Sequence, residues 1–168
     1  ADAATDPLIQ LDLGPGGGTI TLTGGELSIA EDVTIESING PVTIDAAGGS
    51  RVMSVEGGTN VVLDGLVLTN GVDATDGGGA IRNEGNLTVR NSIIQGNQAT
   101  GGGTADGGAI KNFGTVTIEN SVIQDNSADS NSGAIHNEPG QDLTITDSTI
   151  INNVAAAPSG GITARPGS

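Results

Sequence analysis

Cysteine, tryptophan and tyrosine are absent from this 168-residue chain, and Phe113 is its one phenylalanine. Without cysteine there is no disulfide framework and no thiolate metal site. Aromatic side chains normally supply much of a protein's buried area, so a core here must be built from Ile, Val, Leu and Ala. That disfavours helix bundles and most α/β enzymes. Positive charge is equally scarce: five Lys and Arg stand against twenty Asp and Glu, a formal net charge of −15. Phosphate backbones and anionic lipid surfaces are bound chiefly through cations, so neither nucleic acid nor a membrane is an expected partner. No apolar run reaches the roughly 18 residues of a membrane-spanning helix. The opening Ala1-Asp2-Ala3-Ala4 has neither the basic nor the apolar stretch of an export leader, and reads as a mature terminus.

Glycine is abundant, at 29 of 168 residues, against a usual share of about 7 %. The chain also repeats itself. Leu87-Thr88-Val89-Arg90-Asn91-Ser92-Ile93-Ile94-Gln95-Gly96-Asn97 aligns with Val116–Asn126 and with Leu143–Asn153, and a weaker copy covers Val61–Asn70. Ser92 and Ser121 lie 29 residues apart, and Ser121 and Ser148 lie 27 apart. A second block keeps the same beat: Gly79-Ala80-Ile81-Arg82-Asn83, Gly108-Ala109-Ile110-Lys111-Asn112 and Gly133-Ala134-Ile135-His136-Asn137. Fixed periods of this size mark stacked repeat architectures.

Each unit reads as three short strands. The first alternates apolar residues with Thr, the period-2 signature of a β-strand. A corner follows at Asn91, Asn120 or Asp147, residue types that tolerate a left-handed backbone. A second strand runs through Ile93-Ile94 and its equivalents to Asn97, Asn126 or Asn153. A Gly-rich loop of variable length then leads to the Ala-Ile strand. Asn97 to Ala109 spans 12 residues, Asn126 to Ala134 only 8, and Asn70 to Ala80 spans 10, as expected when insertions map to one exposed corner. Val33-Thr34-Ile35, Val42-Thr43-Ile44 and Val52-Met53 fill an earlier rung, and Thr19–Leu22 with Leu27–Ile29 a partial first one. No segment has helical periodicity. The expectation is an all-β parallel β-helix of about six rungs with three short strands each, one domain over residues 1–168. Residues 1–14 are expected to be an N-terminal cap or loose end, 15–162 the rungs and 163–168 a tail. Open strand edges at the ends of such a stack invite end-to-end self-association unless Ala1–Gly14 or the proline-containing tail covers one of them.

The Gly-Gly-Ala-Ile motif, with Val67-x-x-Asn70, Ile94-x-x-Asn97, Ile123-x-x-Asn126 and Ile150-x-x-Asn153, resembles the GGAI and FxxN repeats of polymorphic outer-membrane proteins, aliphatic residues replacing Phe. Gly18–Ile29 resembles the opening rungs of β-helix domains in large bacterial surface proteins. The likeness spans about residues 14–162. It implies a right-handed helix, in keeping with the chirality of parallel crossovers, and an exported, cell-surface, adhesin-like protein of bacterial origin. The architecture carries many functions, so the resemblance speaks to fold more than to activity.

Several residues could carry chemistry. Asn83, Asn112 and Asn137 form one column and Asn97, Asn126 and Asn153 another; an amide both donates and accepts, so structural Asn ladders are expected. Arg82, Lys111 and His136 follow each Ala-Ile, and alternation points them outward, where they could meet an acidic sugar. His136 is the one histidine, and no nucleophile pattern accompanies it, so no triad is expected. Asp73, Asp76, Asp106 and Asp129 recur in the variable loops; they are hard oxygen donors of the kind calcium takes, but match no calcium-loop spacing. Outward Thr88, Thr117 and Thr144 form a column that Arg90 and Glu119 interrupt, against an ice-binding array. No catalytic, cofactor or metal residue is assigned, and no cofactor is expected beyond calcium at those loops. The expected function is a non-catalytic structural or adhesive scaffold or spacer at the bacterial cell surface, meeting protein or polysaccharide. The alternative is a polysaccharide-binding or lyase-like polysaccharide-cleaving domain.

Overall fold

The computed structural model describes residues 7–157 and 159–164. Among them there is no helix; the chain winds through three six-stranded parallel sheets and one of four strands, a β-solenoid of six rungs. The first sheet stacks Leu8–Asp12, Val33–Ile38, Asn60–Asp64, Asn86–Arg90, Thr115–Glu119 and Asp142–Thr146. The second stacks Gly18–Thr21, Val42–Asp45, Leu66–Thr69, Ile93–Gln95, Val122–Gln124 and Thr149–Ile151. The third stacks Leu27–Ile29, Met53–Val55, Ile81–Asn83, Ile110–Asn112, Ile135–Asn137 and Ile162–Ala164.

Register makes each core position a column. Ile9, Ile35, Leu63, Val89, Ile118 and Ile145 share one place on the first sheet. Ile20, Ile44, Leu68, Ile94, Ile123 and Ile150 share one on the second. Leu27, Met53, Ile81, Ile110, Ile135 and Ile162 share one on the third. Aliphatic side chains repeat along every column, with Met53 the one unbranched member, so each inner rung buries its apolar face on the next. The corners take the backbone their residues favour: φ is 52° at Asn91, 45° at Asn120 and 50° at Asp147.

The rungs differ from expectation in two places. They begin earlier than residue 15, because Leu8–Asp12 already pairs in parallel with Val33–Ile38; alternating Ile9 and Leu11 supply the period a strand needs. The other part of the expected cap, Ala1–Asp6, lies outside the described residues, as do Pro158 and Arg165–Ser168 of the expected tail region. The variable loop is also more than a loop. It contains a fourth short sheet of Val72–Asp73, Gln98–Ala99, Ser127–Asn131 and Val154–Ala157, backed by a small core of Ala99, Ala105 and Ala128.

Candidate functional site

Arg82, Lys111 and His136 share one register position on the third sheet, preceded by Ser28 and Ser54 and followed by Thr163. The structure stacks the three as the repeat implies, but it does not leave them in solvent. Lys111 is 4 % exposed and His136 1 %, and the Arg82 side chain is 27 % exposed. The Gly-rich segments fold back over the outer face of the sheet and roof the row. Alternation fixes which way a side chain points from its strand, not what another segment lays across it.

Each of the three side chains lies against part of that roof. Lys111 Nζ donates to the carbonyls of Asp76 at 2.6 Å and Thr104 at 3.0 Å, tying the loops of two successive rungs together. Its charge faces Asp106 at 3.7 Å and Glu138 at 3.9 Å. His136 Nε2 lies 3.5 Å from Glu138 and 3.8 Å from Asp106. Arg82 pairs with Asp76 at 2.8 Å and with Glu84. Its guanidinium lies 4.7 Å from the Phe113 ring centroid, and Lys111 Nζ lies 5.5 Å from the same ring. The chain's one aromatic ring is thus engaged by two cations.

Arg51 lies under the same roof, three residues ahead of the row's Ser54 in its own rung, and was not foreseen from sequence. It is 9 % exposed, donates to the Gly77 carbonyl at 3.0 Å, and pairs with Glu26 at 2.6 Å, Asp73 at 2.7 Å and Asp76 at 2.9 Å. The register places it beside Gly79 in a rung that lacks the Gly-Gly-Ala-Ile motif. The signal that could have found it was its scarcity, as one of five Lys and Arg in a chain whose loops are rich in Asp.

The four loop aspartates are not brought together as a calcium cage. Burial works to raise the Asp73 carboxyl, but backbone N–H bonds from Gly77, Thr75 and Asp76 outweigh it and hold the group below its ordinary range. Burial likewise works to raise Asp106, and Asn131, Ser130 and His136 together bring it below that range. Asp76 is shared between Arg51 and Arg82, while Asp129 accepts the Gly101 N–H at 3.0 Å. Among the described residues no group of three or more His, Asp or Glu side chains is arranged to hold a metal ion.

The expected Asn ladders are present. Asn83 Nδ2 donates to Asn112 Oδ1 at 2.7 Å, and Asn112 Nδ2 to Asn137 Oδ1 at 2.6 Å. Asn97 Nδ2 donates to Asn126 Oδ1 and Asn126 Nδ2 to Asn153 Oδ1, each at 2.9 Å. A serine ladder accompanies them: the N–H groups of Leu66, Ser92 and Ser121 donate to Oγ of Ser92, Ser121 and Ser148 at 3.0, 3.1 and 3.0 Å. Shallow surface grooves lie elsewhere, one lined by Ala47, Gly48, Asn70, Val72, Gly96 and Gln98. No family model matches this chain, and no curated protein or solved structure matches it either. The likeness to polymorphic outer-membrane protein repeats accordingly rests on its short motifs alone.

Proposed function

We propose that this chain is a non-catalytic structural and adhesive module of an exported bacterial surface protein, a rigid scaffold whose partners are protein or polysaccharide. The observation that supports this reading is the internal use of the cations. Arg51, Arg82 and Lys111 lie against loop carboxylates and carbonyls, and Arg90, on the outer face, pairs with Asp64 at 2.8 Å. A uronate-cleaving enzyme needs a basic group and a base converging in an open groove. Here the basic row lies under a roof, and the one ring able to stack on a sugar is held by Arg82 and Lys111. The exported, bacterial origin draws on the motif likeness.

The test is a panel of acidic and neutral polysaccharides, each incubated with calcium and with chelator and assayed for binding and for cleavage products. The expected outcome is no cleavage on any polymer. Calcium-dependent cleavage would overturn the scaffold reading in favour of the lyase-like one, and would direct mutagenesis to Arg82, Lys111 and His136.

A further inference from the structure

Charge is spread unevenly over the outer faces of the solenoid. On the first sheet every inner rung turns a charge outward, with Glu36, Asp64, Arg90 and Glu119 in one column. The third sheet is roofed. The outward columns of the second sheet differ from both: Thr43, Val67, Ile93 and Val122 form one, and Asp45, Thr69, Gln95 and Gln124 the other. These residues stay partly exposed, and Asp45 alone among them is charged. Its carboxylate turns into its own corner, where Oδ1 accepts from the Ala47 N–H at 2.8 Å and from Asn70 Nδ2 at 2.9 Å. In a chain of net charge −15, this is a face of methyls, hydroxyls and amides.

The face continues around its edge. Past the corner, the fourth sheet turns Val72, Gln98 and Ser127 outward, again without charge. Between the two sheets Asn70, Val72, Gly96 and Gln98 line the groove already described, of about 340 Å³, within the range of roughly 300–1,000 Å³ that small-ligand sites occupy.

The side chains select the chemistry of a ligand. An amide both donates and accepts, as a hydroxyl does, and Gln124 Nε2 already donates to Gln95 Oε1 at 2.9 Å along the column. A carboxylated or sulfated ligand would find no Lys or Arg among these residues. It would meet Asp45, and Asp125, which follows Gly96 at the same corner one rung on. A cationic ligand would be drawn to the acidic first face instead. An uncharged, hydroxyl-bearing ligand matches what is there, and Val67, Ile93 and Val122 offer apolar contact to the C–H faces of sugar rings.

The outline of the face selects the form of that ligand. Strands of four residues at about 3.3 Å each make it roughly 13 Å wide, and four inner rungs at about 4.8 Å make it roughly 19 Å long. That is about 250 Å², against the roughly 800 Å² per partner of a stable protein–protein contact. A second copy of this chain needs more surface than the strip offers, whereas one linear polymer does not.

We propose that this face and its groove bind a neutral polysaccharide strand lying along the solenoid axis. Its hydroxyls meet Thr43, Thr69, Gln95 and Gln98, and its ring faces lie on Val67, Val72 and Ile93. The proposal rests on the scaffold reading above and narrows its partner to one class.

The test is a nuclear magnetic resonance titration of the intact chain. The probes are uncharged hexasaccharides of glucose, of mannose and of N-acetylglucosamine, with hexagalacturonate as the anionic counterpart. The expected result is saturable shifts with at least one neutral probe and none with hexagalacturonate. The shifts should centre on the side-chain amides of Asn70, Gln95 and Gln98 and the methyls of Val67, Val72 and Ile93. Gln95→Ala combined with Gln98→Ala is expected to weaken binding about tenfold or more at an unchanged melting temperature. Arg90→Ala, on the first sheet, should leave binding unchanged. Hexagalacturonate binding as tightly as the neutral probes, shifts centred on another face, or binding unmoved by the double variant overturns the proposal. So does the absence of shifts with every neutral probe, which leaves the scaffold with a protein partner. Cleavage products in the same samples would overturn the scaffold reading itself, so the two failures are told apart.

Discussion

Ser132 occupies a place that glycine holds in the two preceding rungs. The backbone there is left-handed in all three, with φ of 73° at Gly78, 68° at Gly107 and 60° at Ser132. A Cβ at Gly78 would fall 2.4 Å from the Ile81 carbonyl oxygen, and one at Gly107 would fall 2.1 Å from that of Ile110. The buried Ser132 hydroxyl has no hydrogen-bond partner among the described residues. A left-handed L-residue costs about 1–2 kcal/mol and an unpaired buried hydroxyl about 1–3 kcal/mol. Ser132→Gly is therefore expected to stabilise the chain by about 1–2 kcal/mol, read as a higher urea midpoint at unchanged slope; a lower midpoint would show that the hydroxyl is bonded. Asn126 is the opposite case. Its amide donates to the Ile94 and Gln124 carbonyls and to Asn153, and accepts from the backbone and side chain of Asn97. Asn126→Ala orphans several buried groups at once, for an expected loss of about 3 kcal/mol or more. Asn86→Ala, at an exposed rung-to-rung amide pair, should stay within about 0.5 kcal/mol. These ladders were legible in the sequence because identical residues recur at a fixed beat. The strain at Ser132 was not, since it shows only when three rungs are superposed.

At the scale of the element, the roof over the third sheet is where sequence reasoning stopped short. Alternation gave Arg82, Lys111 and His136 the correct side of the strand, and the repeat gave them the correct column. Neither carries information on a Gly-rich segment whose anchors lie in other rungs: Ala99, Ala105 and Ala128 beneath it, and Lys111 reaching two of its carbonyls. The roof's own electrostatics make it acid-labile. Asp73 and Asp106 titrate lower folded than unfolded, so unfolding takes up protons. The stability they lend is complete above an unfolded value of about 4 and drains away as pH falls through the depressed folded values. Thermal melts followed downward from neutral pH are expected to hold and then drop steeply below about pH 4. Asp73→Asn should lower the melting temperature at neutral pH and flatten that acid limb. An acid limb left unchanged by Asp73→Asn would assign the acid sensitivity to other carboxylates.

Across the whole molecule, burial is graded along the axis. Inner-rung core residues such as Leu68, Ile94 and Ile123 are fully buried, while Ile20, Leu27, Ile145 and Ile162 at the ends are only partly so. Nearest-neighbour stacking of this kind makes the ends the first to open. Hydrogen exchange is expected to be slowest in the strands of the third, fourth and fifth rungs and fastest in the first and last; uniform protection would mean that the solenoid opens as one unit. Ile123→Asp, which places a charge midway along a core column, is expected to abolish cooperative folding. The winding has one more consequence, which is mechanical. The first strand lies at one end of the axis and the last at the other, so tension between the termini runs along the stack and loads the rung-to-rung bonds in series. Such a chain yields by peeling rather than by shearing. Each released turn of about 27 residues pays out roughly 90 Å of extended chain at about 3.4 Å per residue. Pulled from both ends, the molecule is a ratcheted tape whose length grows in equal steps while the turns still wound keep their shape.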